Sequence, residues 1–226
     1  MSRTTILTAM LAALVLALVP SCTHEPYQTG DGSLSYLRAD YADITIAGSA
    51  VTDILTDDDT HLLPPRNLAV STELPADTML RRLIHYNLTS ATAPIEILQF
   101  TPVTILPPVE KAEMAEAKTD PLTLTAAWLS ANRRYLNLHL GVMVGGDTDA
   151  MAHQQLAVTR DSIHTGGKGA VFLTLRHDQA GVPQYYTEDV FLSLPLNSLA
   201  ATATPFDTVS ITVPTYSGTV TKVFTK

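Results

Sequence analysis

Hydrophobic and polar residues alternate with a period of two along the stretch Leu122–Val144. Successive side chains of an extended strand point to opposite faces, so this period predicts β-strands with one buried face. A short polar break at residues 130–132 separates two alternating halves and predicts a β-hairpin. The first half is predicted to bury Trp128 together with Leu122. The second half is predicted to bury Leu136, Leu138, Leu140, Val142 and Val144.

Turn-forming residues interrupt further alternating segments between this hairpin and the end of the chain. The clearest of these segments are Ala170–His177 and Thr208–Val213. The glycine-rich segment Asp161–Gly169 lacks the spacing of a phosphate-binding loop and is predicted to be a flexible hairpin loop. Seven or eight short strands in about a hundred residues are typical of an antiparallel Ig-like β-sandwich. We therefore predict that residues 122–226 form such a sandwich.

Five shorter strand-like runs lie within residues 36–107. Five strands in a segment of this size predict a small OB-like barrel, so the whole chain is predicted to be all-β. The acidic segment Asp57–Asp59 separates the second run from the third. A calcium loop would need ligands at alternating positions with a Gly and a distal Glu, so the pattern favours a hairpin turn built from Asp.

Proline residues mark the boundary that we predict between these two domains. Pro107-Pro108 ends the last N-terminal strand, and Asp120-Pro121 interrupts the chain again. The piece between them is made of charged residues and alanines and is too short to be a stable helix by itself. Residues 108–121 are therefore predicted to be a linker.

The N-terminus has the organisation of a bacterial secretion signal. Arg3 supplies a positive charge, and the apolar run Ile6–Val19 is shorter than the roughly 20 residues that span a bilayer. Cys22, the single cysteine, follows this run as the lipid-modified cysteine of a lipobox does, and the alternative is a buried free thiol. We predict a signal peptide at residues 1–21, followed at residues 22–35 by the lipidated cysteine and a flexible tether.

The charge of the chain bears on its partners. The formal net charge is −8, and the basic residues closest to a cluster are the separate pairs Arg81-Arg82 and Arg133-Arg134. Binding to a phosphate backbone depends on clustered lysines and arginines, so a nucleic-acid partner is not expected.

Several segments resemble the NigD-like lipoprotein family and occur in the same order. They are Asp57–Pro65, Arg81–Leu88, Ile95–Leu106, Trp128–Val142, Leu173–Asp178 and Val213–Phe224. The resemblance implies an OB-like domain followed by a β-sandwich domain, on a lipoprotein of the Gram-negative cell envelope that is expected at the outer membrane. It implies no reaction and no ligand. Asp59 stands where many such proteins have a glycine.

No local arrangement of residues points to catalysis. None of the seven histidines lies within four residues of another, and the one cysteine is assigned to lipidation, so no metal site is predicted. A serine hydrolase would be expected to have a G-x-S-x-G turn, which the sequence lacks. A glycosidase needs two carboxylates held across a cleft, and the sequence leaves that arrangement open. We predict no catalytic residue and no cofactor.

Two functional hypotheses follow. The first is a non-catalytic binding or assembly module, held at the membrane by Cys22, that binds an envelope protein, peptide or glycan. The second is a hydrolase of envelope or dietary polymers that uses a carboxylate pair. For a binding module, the polar face of the second hairpin strand is the candidate site, because a rigid strand positions side chains well. The alternatives for that face are an ordinary solvated surface or a surface covered by the N-terminal domain. Its residues are Tyr135, Asn137, His139 and Met143.

Overall fold

The computed structural model describes residues 37–48, 50–65, 68, 75–114, 116–146, 150–164, 169–201 and 206–225. The predicted signal peptide, lipidated Cys22 and tether lie outside these residues. Within the described ranges the chain forms fourteen strands in three sheets, so the all-β prediction is confirmed. In this part of the chain no helix has the length and apolar character needed to cross a bilayer.

The N-terminal half forms one antiparallel sheet. Its strands are β1 (Leu37–Ala47), β2 (Ala50–Thr56), β3 (His61–Leu62), β4 (Thr78–Asn87) and β5 (Glu96–Pro102). They lie in the order β3-β2-β1-β4-β5 and fall on the five predicted runs. Among the described residues no ladder joins β3 to β5, and the sheet is open there rather than closed into a barrel. One backbone hydrogen bond of 3.0 Å, from the Ile95 N–H to the Leu63 carbonyl, links the two edges.

The acidic segment forms the predicted turn between β2 and β3. The Thr56 N–H donates to the Thr60 carbonyl across it at 3.0 Å. Asp59 has a φ of 63°, in the left-handed region that glycine adopts most easily. Aspartate tolerates this conformation better than most residues, which explains how Asp59 can stand in place of a glycine.

The C-terminal half contributes two sheets that share one apolar core. The strands are β6 (Thr104–Ile105), β7 (Val109–Glu110), β8 (Thr123–Leu129), β9 (Tyr135–Val144), β10 (Gln155–His164), β11 (Ala170–Asp178), β12 (Tyr186–Pro195), β13 (Thr208–Thr215) and β14 (Gly218–Thr225). A four-stranded sheet has the order β6-β12-β9-β8, and a five-stranded sheet has the order β14-β13-β11-β10-β7. Short helices lie at Ala150–His153, and, with 3₁₀ geometry, at Lys111–Met114 and Leu196–Ala201.

The core of this half contains the apolar face of β9, as the alternation predicts. Leu136, Leu138 and Leu140 are completely buried there. The β11 residues Val171, Leu173 and Leu175 face them from the other sheet and are buried to the same degree. Burial of a leucine side chain contributes about 1.5–3 kcal/mol, so this face contributes much of the stability of the sandwich.

Trp128 lies on the opposite face from the predicted one. The register between β8 and β9 shifts between Leu124 and Ala126, so that one residue of β8 has no cross-strand partner. A shift of one residue moves every later side chain of a strand to the other face. Trp128 is therefore opposite Asn137 instead of a core leucine. Its ring packs edge-on against Tyr41 of β1, with ring centroids 5.2 Å apart.

The segment predicted to be a linker is hydrogen-bonded into the sandwich. β7, inside residues 108–121, pairs with β10 in parallel through Val109 and Glu110. Thr119 forms a further bridge to His177, and the His177 N–H donates to the Lys118 carbonyl. The prolines end regular strands as predicted, but a short strand needs only a few free backbone groups to join a sheet edge.

Candidate functional site

The predicted binding face is the outer surface of the four-stranded sheet, and the structure divides it in two. We call the end around Tyr135 and Asn137 the covered half, because the N-terminal sheet lies over it. Tyr135 is 8% exposed and Asn137 is fully buried. His139 and Met143 are partly exposed, and we call their end of the face the open half. The open half also contains Gly141, Gly145, Tyr185, Thr187 and Asp189, the last three of which are on β12 or directly before it.

Arg81 joins the N-terminal sheet to the covered half. Its guanidinium donates from Nη1 to Asp43 at 2.9 Å and from Nη2 to both carboxylate oxygens of Asp57 at 2.8 and 2.9 Å. Its Nε donates to Ser193 at 2.6 Å, and Nη2 also donates to Asn137 at 3.1 Å. Arg81 is only 1% exposed. A buried cation is stable when it is paired and hydrogen-bonded, and both conditions are met.

The strand register brings these groups together. Arg81 on β4 is directly opposite Asp43 on β1, and Asn137 on β9 is directly opposite Ser193 on β12. Asp57 follows β2, and it accepts from Asn137 Nδ2 at 2.8 Å as well as from Arg81. Ser193 donates to the Asn137 side-chain oxygen at 2.7 Å. The side chains of Arg81, Asn137 and Ser193 are thus hydrogen-bonded to one another and to the two carboxylates.

Aromatic rings enclose the guanidinium. The central carbon of Arg81 lies 3.7 Å from the ring centroid of Tyr135 and 5.5 Å from that of Tyr41. A cation over the face of an aromatic ring is attracted to it, most strongly when both are desolvated. The covered half is therefore a structural contact between the sheets, and it leaves no room for a ligand at Tyr135 or Asn137.

Burial also raises the pKa of Tyr41 and of Tyr135, and for Tyr135 the charge of Asp43 raises it further. An unfolded tyrosine ionises near pH 10, while these two stay protonated in the folded chain to higher pH. The stability that these two tyrosines contribute is therefore complete below pH 10 and is lost as the pH rises beyond it. The buried Tyr41 hydroxyl makes no hydrogen bond, so we expect Tyr41→Phe to reduce the loss of stability at alkaline pH. Urea unfolding at a series of alkaline pH values measures the free energy of unfolding. An equal decrease with pH for the wild type and Tyr41→Phe would contradict the assignment.

The open half presents a histidine–aspartate pair. His139 Nε2 lies 2.8 Å from Asp189 Oδ1, and the imidazole stacks on the ring of Phe191 with centroids 4.5 Å apart. The Asp189 side chain is 67% exposed and that of His139 is 24% exposed. These groups can donate and accept hydrogen bonds at the surface, and their positions are set by β9 and β12 rather than by loops.

Two glycines let neighbouring side chains lie directly over the backbone in the open half. A β-carbon built on Gly141 would lie 2.8 Å from Cγ2 of Thr187, and one on Gly145 would lie 2.6 Å from Cδ2 of Tyr185. The neighbouring side chains occupy the space that side chains at these positions would need. Tyr185 therefore lies across the backbone of Gly145, yet it remains 75% exposed. An aromatic ring held in this way combines a large contact area with little conformational entropy to lose on binding.

Four residues of these two surfaces are not predicted from the sequence: Arg81, Asp43, Ser193 and Tyr185. Arg81 is on the face of β4 opposite Ile84 and Tyr86, and both faces of this strand are buried in part. Because Arg81 shares its face with His85 and Asn87 and not with the core residues of the strand, the local pattern carried no signal of its burial. Among the described residues, no group of three or more His, Asp, Glu or Cys side chains is arranged to hold a metal ion.

Comparison with known proteins adds the family and the fold. The model of the NigD-like C-terminal beta sandwich domain matches residues 104–226. A NigD-like immunity protein from Bacteroides caccae is 20% identical, with a TM-score of 0.62 over 84% of this chain and 92% of that one. A protein of unknown function from Bacteroides vulgatus is 15% identical, with a TM-score of 0.65 over 84% and 90% of the chains. A candidate lipoprotein from Bacteroides fragilis is 15% identical, with a TM-score of 0.60 over 83% and 96%. No curated protein matches the chain.

Proposed function

This chain belongs to the NigD-like family, and we propose that it is a lipid-anchored, non-catalytic binding module of the Gram-negative cell envelope, at the outer membrane. The observation that supports binding is the open half of the four-stranded sheet. Thr187 lies over Gly141 of β9 and Tyr185 over Gly145, directly after β9, so an aromatic and polar surface faces the solvent. Ligand pockets for small molecules are concave, whereas a surface of this kind suits a macromolecular partner.

A protein is the partner class that we propose. Tyrosine is enriched among the residues that dominate protein–protein affinity, and charged or polar groups around it fix the orientation of the partner. Tyr185 has this role in the proposed site, with Asp189 and His139 beside it. One structure of the same fold is described as an immunity protein, and this agrees with a protein partner. Asp43 and Asp57 lie together, but both bind the buried guanidinium of Arg81 and so do not form the free carboxylate pair that a glycosidase needs.

The test is capture of an envelope protein by the full chain in detergent, followed by affinity measurements with the purified partner. We expect Tyr185→Ala to weaken binding by about 2 kcal/mol or more, as truncation of a central aromatic residue does. His139→Ala should weaken it less, because its imidazole is partly covered by Phe191.

The matched control is Phe172→Ala. Phe172 is also an exposed aromatic residue, 42% exposed, but it lies on β11 in the other sheet. Its removal should leave the affinity unchanged. Equal affinities for wild type and Tyr185→Ala, or a loss confined to Phe172→Ala, would place the contact elsewhere. Cleavage of a glycan polymer that is lost on removal of one carboxylate would favour the hydrolase hypothesis instead.

The anchor is proposed at Cys22, because it ends the apolar run after Arg3 and is the only cysteine. The similarity to a candidate lipoprotein supports the same proposal. Cys22→Ala should abolish incorporation of a labelled fatty acid and leave the precursor uncleaved. Equal labelling of wild type and variant would exclude lipidation at this cysteine.

A further inference from the structure

A groove lies at the side of the sandwich, between the start of β8 and the β13–β14 hairpin. Its volume is about 340 Å³. Apolar side chains and hydroxyl groups line it together, and one end is formed by the exposed ring of Tyr216. The two strands that border it, β8 and β14, are each the last strand of their sheet. None of the residues that line the groove belongs to the open half, although Thr123 is opposite Gly141, and the inference does not depend on the function proposed for that surface.

Lys222 contributes the only amino group to the lining of this groove. It is opposite Ile211 on β13, a fully buried core residue, and its neighbours Val220 and Phe224 are opposite Val213 and Val209. Directly opposed residues of antiparallel strands share a face, so Lys222 is on the core-facing side of β14. Lys222 is exposed, and it interrupts the apolar pattern of this side of β14 with a charge, as natural edge strands often do.

Lys222 has no ion-pair or hydrogen-bond partner among the residues that the structure describes. By contrast, Lys118 binds Asp178 at 2.8 Å. The Lys222 ammonium lies beside the apolar residues Leu122, Leu124 and Val220. A ligand that combines an anionic group with apolar side chains would form a charged hydrogen bond with the ammonium and apolar contacts with these neighbours. Carboxylate is the anion that a protein chain supplies.

The free edge of β14 offers backbone hydrogen-bonding groups beside the groove. β14 pairs with β13 along Gly218–Thr225, and in the described residues no strand pairs with its other edge. The backbone groups of such an edge can bind an extended peptide as an additional strand, with specificity from the side-chain pockets alongside. We propose that this groove binds an extended peptide segment bearing a carboxylate, which pairs along β14 and places its carboxylate at Lys222.

The test uses the full chain in detergent and two fluorescein-labelled hexapeptides of alternating threonine and valine. One peptide ends in a free carboxylate and the other in an amide, and binding is followed by fluorescence anisotropy. The wild-type chain should bind the acid about tenfold more tightly than the amide, because a charged hydrogen bond is made only with the acid. Lys222→Met should lower the affinity for the acid to that for the amide.

Lys118→Met is the matched control, since it removes the same charge from a lysine outside the groove. It should retain the tenfold preference. Binding of neither peptide by the wild-type chain would overturn the proposal, as would equal affinities for acid and amide. A preference that survives Lys222→Met would overturn it too. If Lys222→Met self-associates in sedimentation while its peptide binding is unchanged, Lys222 serves only to protect the edge from wrong pairing.

Discussion

Arg81→Met is expected to destabilise the folded chain by about 3–5 kcal/mol, because it leaves two carboxylates near one another without their shared cation. Asp43 loses one charged hydrogen bond and Asp57 loses two, and Asn137 and Ser193 each lose a donor. Arg134, 3.3 Å from Asp43, offsets only part of this loss. Equilibrium unfolding in urea measures the effect, with the midpoint and the slope both compared with those of the wild type.

Arg38→Met is the matched control for the loss of an arginine charge. Arg38 is on β1 in the same sheet but is exposed. Its replacement should change stability by less than about 0.5 kcal/mol, as surface substitutions usually do. A change below about 1 kcal/mol for Arg81→Met would mean that the guanidinium does not hold the two sheets together.

Leu138→Ala is expected to cost about 2–5 kcal/mol, because it removes a completely buried side chain from the centre of the sandwich core. The surrounding leucines and valines belong to two sheets and cannot move together to fill the cavity. Leu98→Ala is the comparison, since Leu98 on β5 is 52% exposed. Similar midpoints for the two variants in the same urea titration would contradict the assignment of Leu138 to the core.

The sequence predicts the strands well where one face is buried. In β9 the alternation of Leu and Val with other residues predicts both the strand and its buried face correctly, because only one face of the strand is consistently apolar. The same argument fails for Trp128. A single unpaired residue in β8 reverses the faces, and nothing in the local pattern marks that position.

The candidate site was predicted in part. Tyr135 and Asn137 were predicted as binding residues, with burial under the N-terminal domain as the alternative. Both are buried under the N-terminal sheet, as in the alternative. That cover depends on Arg81, which is 56 residues from Asn137 along the chain, and no local pattern relates the two. His139 and Met143 stay in the candidate site. Tyr185 was missed because its contribution comes from its position across Gly145, a long-range contact.

The short strand β7 was missed for a related reason. It has two residues and pairs in parallel with β10, which lies far along the chain. Two residues contain no period, so the prolines around them dominated the sequence pattern and suggested a linker.

The open half of the four-stranded sheet is the binding surface that we propose for this protein. Hydrogen–deuterium exchange of the full chain, with and without its purified partner, tests this most directly. We expect the partner to slow exchange at residues 139–145 and 185–189 and to leave β11 and β13 unchanged. Slower exchange on β11 and β13, with residues 185–189 unaffected, would contradict it.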